Sequence, residues 1–129
     1  MSERATIQRL DVFADSRGMV YEPLLPEQLS LHRNADVVLT EPGQVRGNHY
    51  HERGTEILTV LGPALVRLEE DSRLIDTPID KGAAYRFVIP PGIAHAIRAT
   101  GPEPMLLVAF SSEPFDRDRP DAIRKVLLE

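Results

Sequence analysis

Prolines and glycines divide this chain into short segments, and that spacing restricts the folds open to it. The 129 residues include 11 prolines and 8 glycines, spread along the whole length. Turn residues at such intervals are typical of all-β sandwiches and barrels, because they leave little room for long helices. We therefore predict an all-β fold with strands at residues 19–24, 36–40, 45–51, 56–61, 64–69, 85–89, 94–100 and 105–110.

Two segments carry a helical pattern instead. Residues 26–32 begin with a proline and predict one or two helical turns. Residues 119–128 have a proline near their start, and their apolar side chains fall at helical spacing: Ile123, Val126 and Leu127. We expect a short C-terminal helix there, which caps an open edge or end of the barrel.

The composition is that of an ordinary globular domain and excludes several classes of protein. Hydrophobic residues make up 42% of the chain and charged residues 27%, which is far from a disordered sequence. A net charge of −5 argues against a broad basic surface for nucleic acid. There is no cysteine, so disulfides and thiolate metal sites are excluded. No apolar stretch reaches signal-peptide or membrane-span length, so we expect one cytoplasmic domain that contacts neither membrane nor nucleic acid.

Three of the four histidines fall in two compact motifs. His49 and His51 are two residues apart on a predicted strand, so both imidazoles point to one face, about 7 Å apart along the strand. The next four residues, 52–55, have the length of a hairpin loop and include Gly54. Such a loop predicts that Glu56 lies opposite His51 on the neighbouring strand, as a cross-strand partner.

The fourth side chain of this predicted cluster is His95. It follows a Pro90-Pro91-Gly92 turn and lies early in the next strand. If His95 faces inward, three imidazoles and one carboxylate converge, and that set suits a divalent transition metal such as Zn, Fe, Mn or Ni. Two positions of an octahedral ion would then stay open to water or substrate. We interpret the remaining histidine, His32, as a surface residue because it lies in a polar stretch.

These motifs resemble the two motifs of the cupin superfamily. The first motif is matched by Gly43, His49, His51 and Glu56, and the second by Pro90, Gly92 and His95. Three other positions depart from the pattern: Gly62 is one residue early, Gly82 lies two residues too far upstream, and Ala99 replaces an asparagine. The resemblance covers about residues 36–111, which would form the core barrel of a single cupin domain over residues 1–129. It implies an antiparallel jelly-roll β-barrel with the ion inside, usually as a homodimer.

A narrower resemblance is to cupins that act on sugar nucleotides. It rests on Asp15-Ser16-Arg17-Gly18 and on Arg46-Gly47-Asn48-His49-Tyr50-His51. These strings resemble the dTDP-4-dehydrorhamnose 3,5-epimerases, the 3,4-ketoisomerases of dTDP-sugars and, most of all, the cupin domains of capsular-polysaccharide enzymes. The resemblance implies substrate-binding roles for Arg46, Arg17 and Tyr85. It also implies a general-base role for His49 and a catalytic role for Tyr50.

Two features conflict with a simple transfer of these roles. One imidazole lone pair cannot both hold an ion and take a proton, so His49 is either a metal ligand or a base. Simple alternation along the strand also puts Arg46 on the face opposite His49. A bulge at Gly47 would turn Arg46 inward.

The function favoured by this reasoning is that of a sugar-nucleotide epimerase or isomerase. A metal at the carbonyl oxygen of a keto sugar would act as a Lewis acid and stabilise the enolate, while a nearby base removes and returns the proton. Two alternatives stay open. The same ligands suit a non-haem iron dioxygenase, and a barrel of this size could instead bind a carbohydrate or another small molecule without turnover.

Overall fold

Two five-stranded antiparallel sheets make up most of the chain, of which the computed structural model describes residues 3–129. The first sheet has the order β1 (Thr6–Arg9), β9 (Ala84–Ile89), β6 (Glu56–Leu61), β11 (Met105–Ser111) and β4 (Asn34–Thr40). The second has the order β12 (Ala122–Arg124), β5 (Val45–His51), β10 (Ala94–Ala99), β7 (Ala64–Glu70) and β8 (Arg73–Ile79). The other elements are a hairpin of β2 (Phe13–Asp15) and β3 (Gly18–Val20), and a one-turn helix, α1 (Pro26–Leu29). In residues 3–129 no helix is long and apolar enough to span a membrane.

The core lies between the two sheets and follows from alternation along their strands. On β7 the side chains of Ala64, Val66 and Leu68 are buried, and the residues between them are less so. Phe87 on β9 and Leu58 on β6 are buried on the facing sheet. This is the packing of a sandwich, in which each sheet buries one face. No backbone pairing joins the two sheets within the described residues, so the predicted barrel is not closed by hydrogen bonds.

The prediction of an antiparallel all-β fold is confirmed, and several strands have the predicted bounds. Both β5 and β6 begin and end at the predicted residues, and α1 lies inside the predicted helical segment. The sequence pattern does not reveal β8, because Pro78 and the charged residues of this strand obscure its alternation. An edge strand tolerates proline, since one side of its backbone has no partner.

The predicted helix over residues 119–128 is wrong. The structure has β12 instead, which pairs with β5 in the register Ala122–His51, Ile123–Tyr50 and Arg124–His49. Without it, β5 would be an edge strand with unpaired backbone groups. The need to pair these backbone groups outweighs the helical spacing of the three apolar side chains. The segment still covers an open sheet edge, as expected, but it does so as a strand.

The predicted relation between Glu56 and His51 is also wrong in its geometry. They are not cross-strand partners, because β5 and β6 belong to different sheets. Residues 52–55 do not close a hairpin but carry the chain from one sheet to the other. Glu56 therefore faces His51 across the sandwich, and the two side chains still meet.

The hairpin of β2 and β3 and the edge strand β4 expose large apolar side chains. Phe13 and Val20, which pair across the hairpin, are 73% and 70% exposed, and Val37 on β4 is 72% exposed. Within residues 3–129 the hairpin pairs with no other strand. The homodimer implied by the cupin resemblance stays a prediction, and these exposed surfaces are where it can be tested.

Candidate metal centre and substrate pocket

Four side chains from three strands converge between the sheets. His49 and His51 come from β5, His95 from β10, and Glu56 is the first residue of β6. One ligand atom from each lies within 4.8 Å of those of the others. His95 is fully buried and the other three are partly buried. The structure thus brings together the four side chains that the sequence motifs single out.

Glu56 is the centre of this cluster. Its Oε2 lies 2.9 Å from His51 Nε2, and its Oε1 lies 3.1 Å from His95 Nε2. Among the described residues His49 makes no comparable contact with a carboxylate, and its ring centroid lies 4.8 Å from that of His95 and 5.0 Å from that of His51. The cluster therefore divides into a carboxylate-linked trio, His51–Glu56–His95, and a separate imidazole that lines the pocket.

A bulge in β5 determines to which face of the sheet the side chains before and after it point. Opposite β10, His49 pairs with His95 and Gly47 pairs with Ala96, so Asn48 is the extra residue. Gly47 and Asn48 have positive φ angles of 85° and 57°. Gly47 also has no room for a side chain, because a Cβ there would lie 2.7 Å from the carbonyl oxygen of His95. The bulge expected at Gly47 is therefore present.

Neighbouring acceptors orient two of the imidazoles. His95 Nδ1 lies 3.1 Å from the backbone oxygen of Ile93, and His51 Nδ1 lies 3.4 Å from Asp121 Oδ2. A neutral ring whose Nδ1–H points at such an oxygen carries its lone pair on Nε2. Both Nε2 atoms are buried and, although close to Glu56, have no partner with hydrogen-bond geometry.

These unpartnered nitrogens test whether the cluster fits a metal ion. Two imidazole nitrogens that face one carboxylate need positive charge between them, which either protons on the rings or a metal ion can supply. Imidazole nitrogens and a carboxylate oxygen are the ligands of many divalent transition-metal sites. The donor set and its orientation therefore fit such an ion.

The electrostatics of the cluster favour the metal-binding forms of Glu56 and His49. Burial alone would raise the pKa of Glu56, but the imidazoles of His51 and His95 lower that pKa well below its usual value. Burial, together with the imidazoles of His95 and His51, lowers the pKa of His49 from 6.5 to about 4. At neutral pH Glu56 is therefore an anion and His49 a neutral ring with a free lone pair. These are the forms that a metal ion or a proton requires. Burial alone would lower the pKa of His51, but the carboxylates of Glu56 and Asp121 raise it, so a metal ion would have to displace a proton there.

Asp121 belongs to this site, and sequence reasoning missed it. Its carboxylate accepts hydrogen bonds from the backbone N–H of Arg53 at 2.8 Å and of Gly54 at 3.0 Å. Burial would raise the pKa of Asp121, but these amides and the nearby His51 keep it low. Gly54 permits the close approach, because a Cβ there would lie 2.9 Å from Asp121 Oδ2. The helical interpretation of this segment hid the residue, whose only sequence signal is an acid directly after Pro120.

The cluster opens into a pocket of about 250 Å³ between β4 and the loop that follows β11. The lining residues include no lysine or arginine but have five carboxylates: Asp36, Glu56, Glu113, Asp116 and Asp121. Two aromatic rings, those of Phe110 and Phe115, add apolar surface, and Phe115 is 81% exposed. A lining of this charge suits a neutral, hydroxyl-rich ligand better than an anion.

Arg46 leaves β5 on the inner face of the sandwich but does not line the pocket. It pairs with the core residue Ile97, so its side chain leaves β5 on the face that His95 also occupies. Its guanidinium donates hydrogen bonds to Thr40 Oγ1 at 3.2 Å and to the carbonyl oxygen of Leu39 at 3.0 Å. Within the described chain it forms no ion pair, so its charge is available to an anion.

The other predicted substrate and catalytic residues are not brought to the pocket. Arg17 lies in the turn of the β2–β3 hairpin, where its guanidinium is 2.6 Å from the carboxylate of Asp15. Tyr50 stands between the two histidines of β5 and so points to the opposite face. Tyr85 stacks against Phe87 with ring centroids 6.2 Å apart. None of these three predicted residues lines the pocket.

Comparison with known proteins assigns a family to this chain. The family described as polysaccharide biosynthesis C-terminal domain matches residues 13–123. The chain belongs to that family. One curated relative is the spore coat polysaccharide biosynthesis protein SpsL of Bacillus subtilis (strain 168). It is 26% identical over an alignment of 137 positions, which covers 96% of this chain and 89% of SpsL.

Solved structures share the fold of this polysaccharide biosynthesis domain. QdtA, a 3,4-ketoisomerase of Thermoanaerobacterium thermosaccharolyticum, matches with a TM-score of 0.72 at 18% identity, over 97% of this chain and 90% of QdtA. ChmJ, a 3'-monoepimerase of Streptomyces bikiniensis, gives 0.72 at 19% identity, over 89% of this chain and 67% of ChmJ. The capsular polysaccharide assembling protein CapF of Staphylococcus aureus gives 0.67 at 24% identity, over 90% of this chain and 34% of CapF. The predicted resemblance to these sugar-nucleotide enzymes is confirmed at the level of the fold.

Proposed function

We propose that this protein is a metal-dependent isomerase or epimerase that acts on the keto-sugar part of a nucleotide sugar. The observation that carries the proposal is the trio His51–Glu56–His95, whose buried Nε2 atoms face one carboxylate without hydrogen bonds. A separate imidazole, His49, and the unpaired guanidinium of Arg46 lie on the same inner face. Together these groups supply a cation site, a proton acceptor and an anion-binding group.

The known relatives support a sugar-modifying function. SpsL is named for spore coat polysaccharide biosynthesis. QdtA is described in complex with TDP and with TDP-4-keto-6-deoxyglucose, and ChmJ in complex with dTDP-quinovose. Because QdtA and ChmJ share the fold of this chain, a nucleotide sugar is the substrate class that we propose for it.

His51, Glu56 and His95 would hold the metal ion. Two imidazoles and a carboxylate form a common set for divalent transition metals, and the Nδ1 contacts to Asp121 and Ile93 would fix the two rings. When bound, the ion supplies Lewis-acid stabilisation of negative charge on a carbonyl oxygen. This assignment leaves the lone pair of His49 free and removes the conflict between its two predicted roles.

His49 would transfer the proton. Its pKa of about 4 keeps the ring neutral near pH 7, so it can accept a proton from the carbon beside a substrate carbonyl. The ring lines the pocket next to Glu56. Protonation of the same carbon from the other face, by a second donor such as a water molecule, would give an epimer. Transfer of the abstracted proton to the former carbonyl carbon would give the keto isomer, provided that the hydroxyl proton of the first carbon passes to the former carbonyl oxygen.

The charges around the pocket favour one orientation of the substrate. Its five carboxylates would repel a diphosphate, whereas the hydroxyl groups of a sugar ring can donate hydrogen bonds to them. Arg46 lies outside this acidic lining, and guanidinium groups suit phosphate oxygens. We therefore assign the sugar to the pocket at His49 and the diphosphate to the side of Arg46.

Exchange of substrate hydrogen with solvent tests the proposal. The metal-loaded protein in deuterated water should introduce deuterium beside the carbonyl of TDP-4-keto-6-deoxyglucose, which mass spectrometry and NMR detect. His49→Ala should abolish exchange and retain the metal, and Glu56→Ala should lose both. Asp118→Asn, outside the pocket lining, is the matched control.

Two results would overturn parts of this proposal. Absence of exchange across a panel of keto-sugar nucleotides would overturn the enzymatic reaction. Loss of metal in folded His49→Ala would return His49 to the ligand set and leave the reaction without its base.

A carbohydrate-binding protein without turnover is the second candidate function. The observation that favours it is the pocket lining, which combines carboxylates with the rings of Phe110 and Phe115. Calorimetry with a free sugar and with TDP separates the two candidates, since a binding protein of this kind should retain the neutral sugar and bind TDP poorly. The dioxygenase alternative stays a prediction, which oxygen uptake by the iron-loaded protein can test.

A further inference from the structure

Asn48 joins the bulge of β5 to the C-terminal segment, residues 120–129. Its Oδ1 accepts hydrogen bonds from the backbone N–H of Leu127 at 2.9 Å and of Leu128 at 3.1 Å. Its Nδ2 donates to the carbonyl oxygen of Leu128 at 2.8 Å. Its own carbonyl oxygen accepts from the N–H of Lys125 at 2.8 Å. One residue thus makes four hydrogen bonds to the far end of the chain.

The backbone conformation of Asn48 suits this role. With a φ of 57° it occupies the left-handed region, in which asparagine is enriched among non-glycine residues. As the extra residue of the bulge it has no partner on β10. Its groups are therefore free to bond the segment that runs alongside, rather than the neighbouring strand.

The segment that Asn48 holds is the one that carries Asp121. At its start, Asp121 is bonded to the amides of Arg53 and Gly54 and faces His51 Nδ1 at 3.4 Å. In the middle, β12 pairs with β5. At its end, the hydrogen bonds to Asn48 complete the attachment. The segment is therefore bonded to the sandwich on both sides of β12.

We propose that Asn48 is a positioning residue for the metal centre. By clasping residues 125–128 it keeps β12 in register, which holds Asp121 against His51 and directs His51 Nε2 towards Glu56. Asn48 itself touches neither substrate nor metal. The proposal rests on the assignment of the metal ligands and is independent of the substrate.

A double-mutant cycle on Zn(II) affinity tests this role. Competition with a chromophoric chelator gives the Zn(II) dissociation constant of the wild type, Asn48→Gly, Asp121→Asn and the double variant. Glycine retains the positive φ and removes only the amide. Loss of the carboxylate behind a ligating histidine weakens metal binding by roughly 10–100-fold. If Asn48 acts through Asp121, Asn48→Gly also weakens binding, and the double variant is no weaker than Asp121→Asn alone.

Further variants separate positioning from a general loss of stability. Asn48→Asp keeps the acceptor for the amides of Leu127 and Leu128 and should retain more Zn(II) affinity than glycine. It also serves if the glycine variant does not fold. Lys125→Met changes a residue of the same C-terminal segment and removes its ion pair with Glu69 of β7. This variant should bind Zn(II) like the wild type. Hydrogen exchange at the amides of residues 127 and 128 reports whether the clasp has opened.

Three outcomes would overturn the proposal. The first is wild-type Zn(II) affinity in folded Asn48→Gly with fast exchange at residues 127 and 128. The second is a loss of affinity that adds fully to that of Asp121→Asn, since independent effects would mean that Asn48 does not act through Asp121. The third is a wild-type protein that binds no Zn(II) or Co(II), which would remove the metal centre itself.

Discussion

The C-terminal segment and the β2–β3 hairpin are attached to the sandwich in opposite ways. The C-terminal segment pairs with β5 through β12, is clasped by Asn48 and buries Leu128 to 5% exposure. The β2–β3 hairpin near the N-terminus pairs only with itself and leaves Phe13 73% exposed. One attachment brings Asp121 to the metal cluster, whereas the other leaves Arg17 outside the pocket.

This difference bears on which residues of the two segments can act at the site. A side chain is positioned most precisely when hydrogen bonds and buried contacts hold its backbone. Asp121 meets that condition and Arg17 does not. An isolated two-stranded hairpin is marginally stable in water, and its apolar side chains are a surface that another molecule can cover. A substrate-binding role for Arg17 stays a prediction.

Removal of the C-terminal segment should have the largest effect. Truncation after Pro120 deletes Asp121, uncovers the edge of β5 and removes the buried side chain of Leu128. Burial of a leucine contributes about 1.5–3 kcal/mol, so we expect a loss of unfolding free energy of at least that size, together with loss of Zn(II) binding. Denaturant melts and Zn(II) titration measure the two effects.

The matched change at the other end is a Gly-Ser linker in place of residues 13–20. Because the hairpin pairs only with itself, this variant should retain the Zn(II) affinity of the wild type. Equal losses in the two variants would contradict the comparison.

Charge on the edge of β4 should show whether a second copy covers the apolar surface. Val37→Lys places a charge on an exposed edge strand, which opposes further strand pairing. If the predicted homodimer forms there, we expect a loss of about 2 kcal/mol, or roughly thirtyfold in the dimer dissociation constant. Light scattering and sedimentation measure it. The control is Leu74→Lys. Leu74 is 55% exposed and lies on β8, the edge strand of the other sheet. A monomeric wild type would contradict the predicted homodimer.

A methyl group at Gly54 should disturb the site from the side of the C-terminal segment. Its Cβ would lie 2.9 Å from Asp121 Oδ2 and 3.1 Å from the Cγ of Glu113, so Asp121 must shift away from His51. We expect Gly54→Ala to weaken Zn(II) binding by roughly tenfold, the lower end of the range for a lost histidine partner. Gly18→Ala strains the hairpin at a φ of 133° but meets no atom, so its Zn(II) affinity should be unchanged. The same affinity in both variants would argue against a role for Asp121.

Loss of the Arg17 guanidinium should have the smallest effect. Arg17 and Asp15 form an exposed ion pair, and such pairs contribute little to stability. Arg17→Ala should therefore change neither the melting temperature nor the Zn(II) affinity. Arg67→Ala should lower the melting temperature, because Arg67 also donates a hydrogen bond to the carbonyl oxygen of Leu127. A fall in Zn(II) affinity for Arg17→Ala would mean that the hairpin reaches the site.

The ligand set could be predicted because its signals are local. The pair His49 and His51 follows the two-residue period of a strand, and β5 has the predicted bounds. The bulge at Gly47 could also be anticipated, because glycine inside a strand often marks one. Asp121 could not be found in this way. Its place beside His51 depends on a strand pairing between residues more than seventy positions apart, which leaves no periodic signal.

By itself, the sequence determined the all-β class, most of the strands and the side chains able to hold a metal ion. These follow from turn residues, alternation and ligand chemistry, which act over a few residues. Only the tertiary structure decided that β5 and β6 lie in different sheets and that the C-terminal segment is a strand. It also decided that Asp121 reaches the cluster while Arg17 does not. Such outcomes depend on which backbone edges find partners and which apolar faces are covered, and those conditions are met only when distant segments pack together.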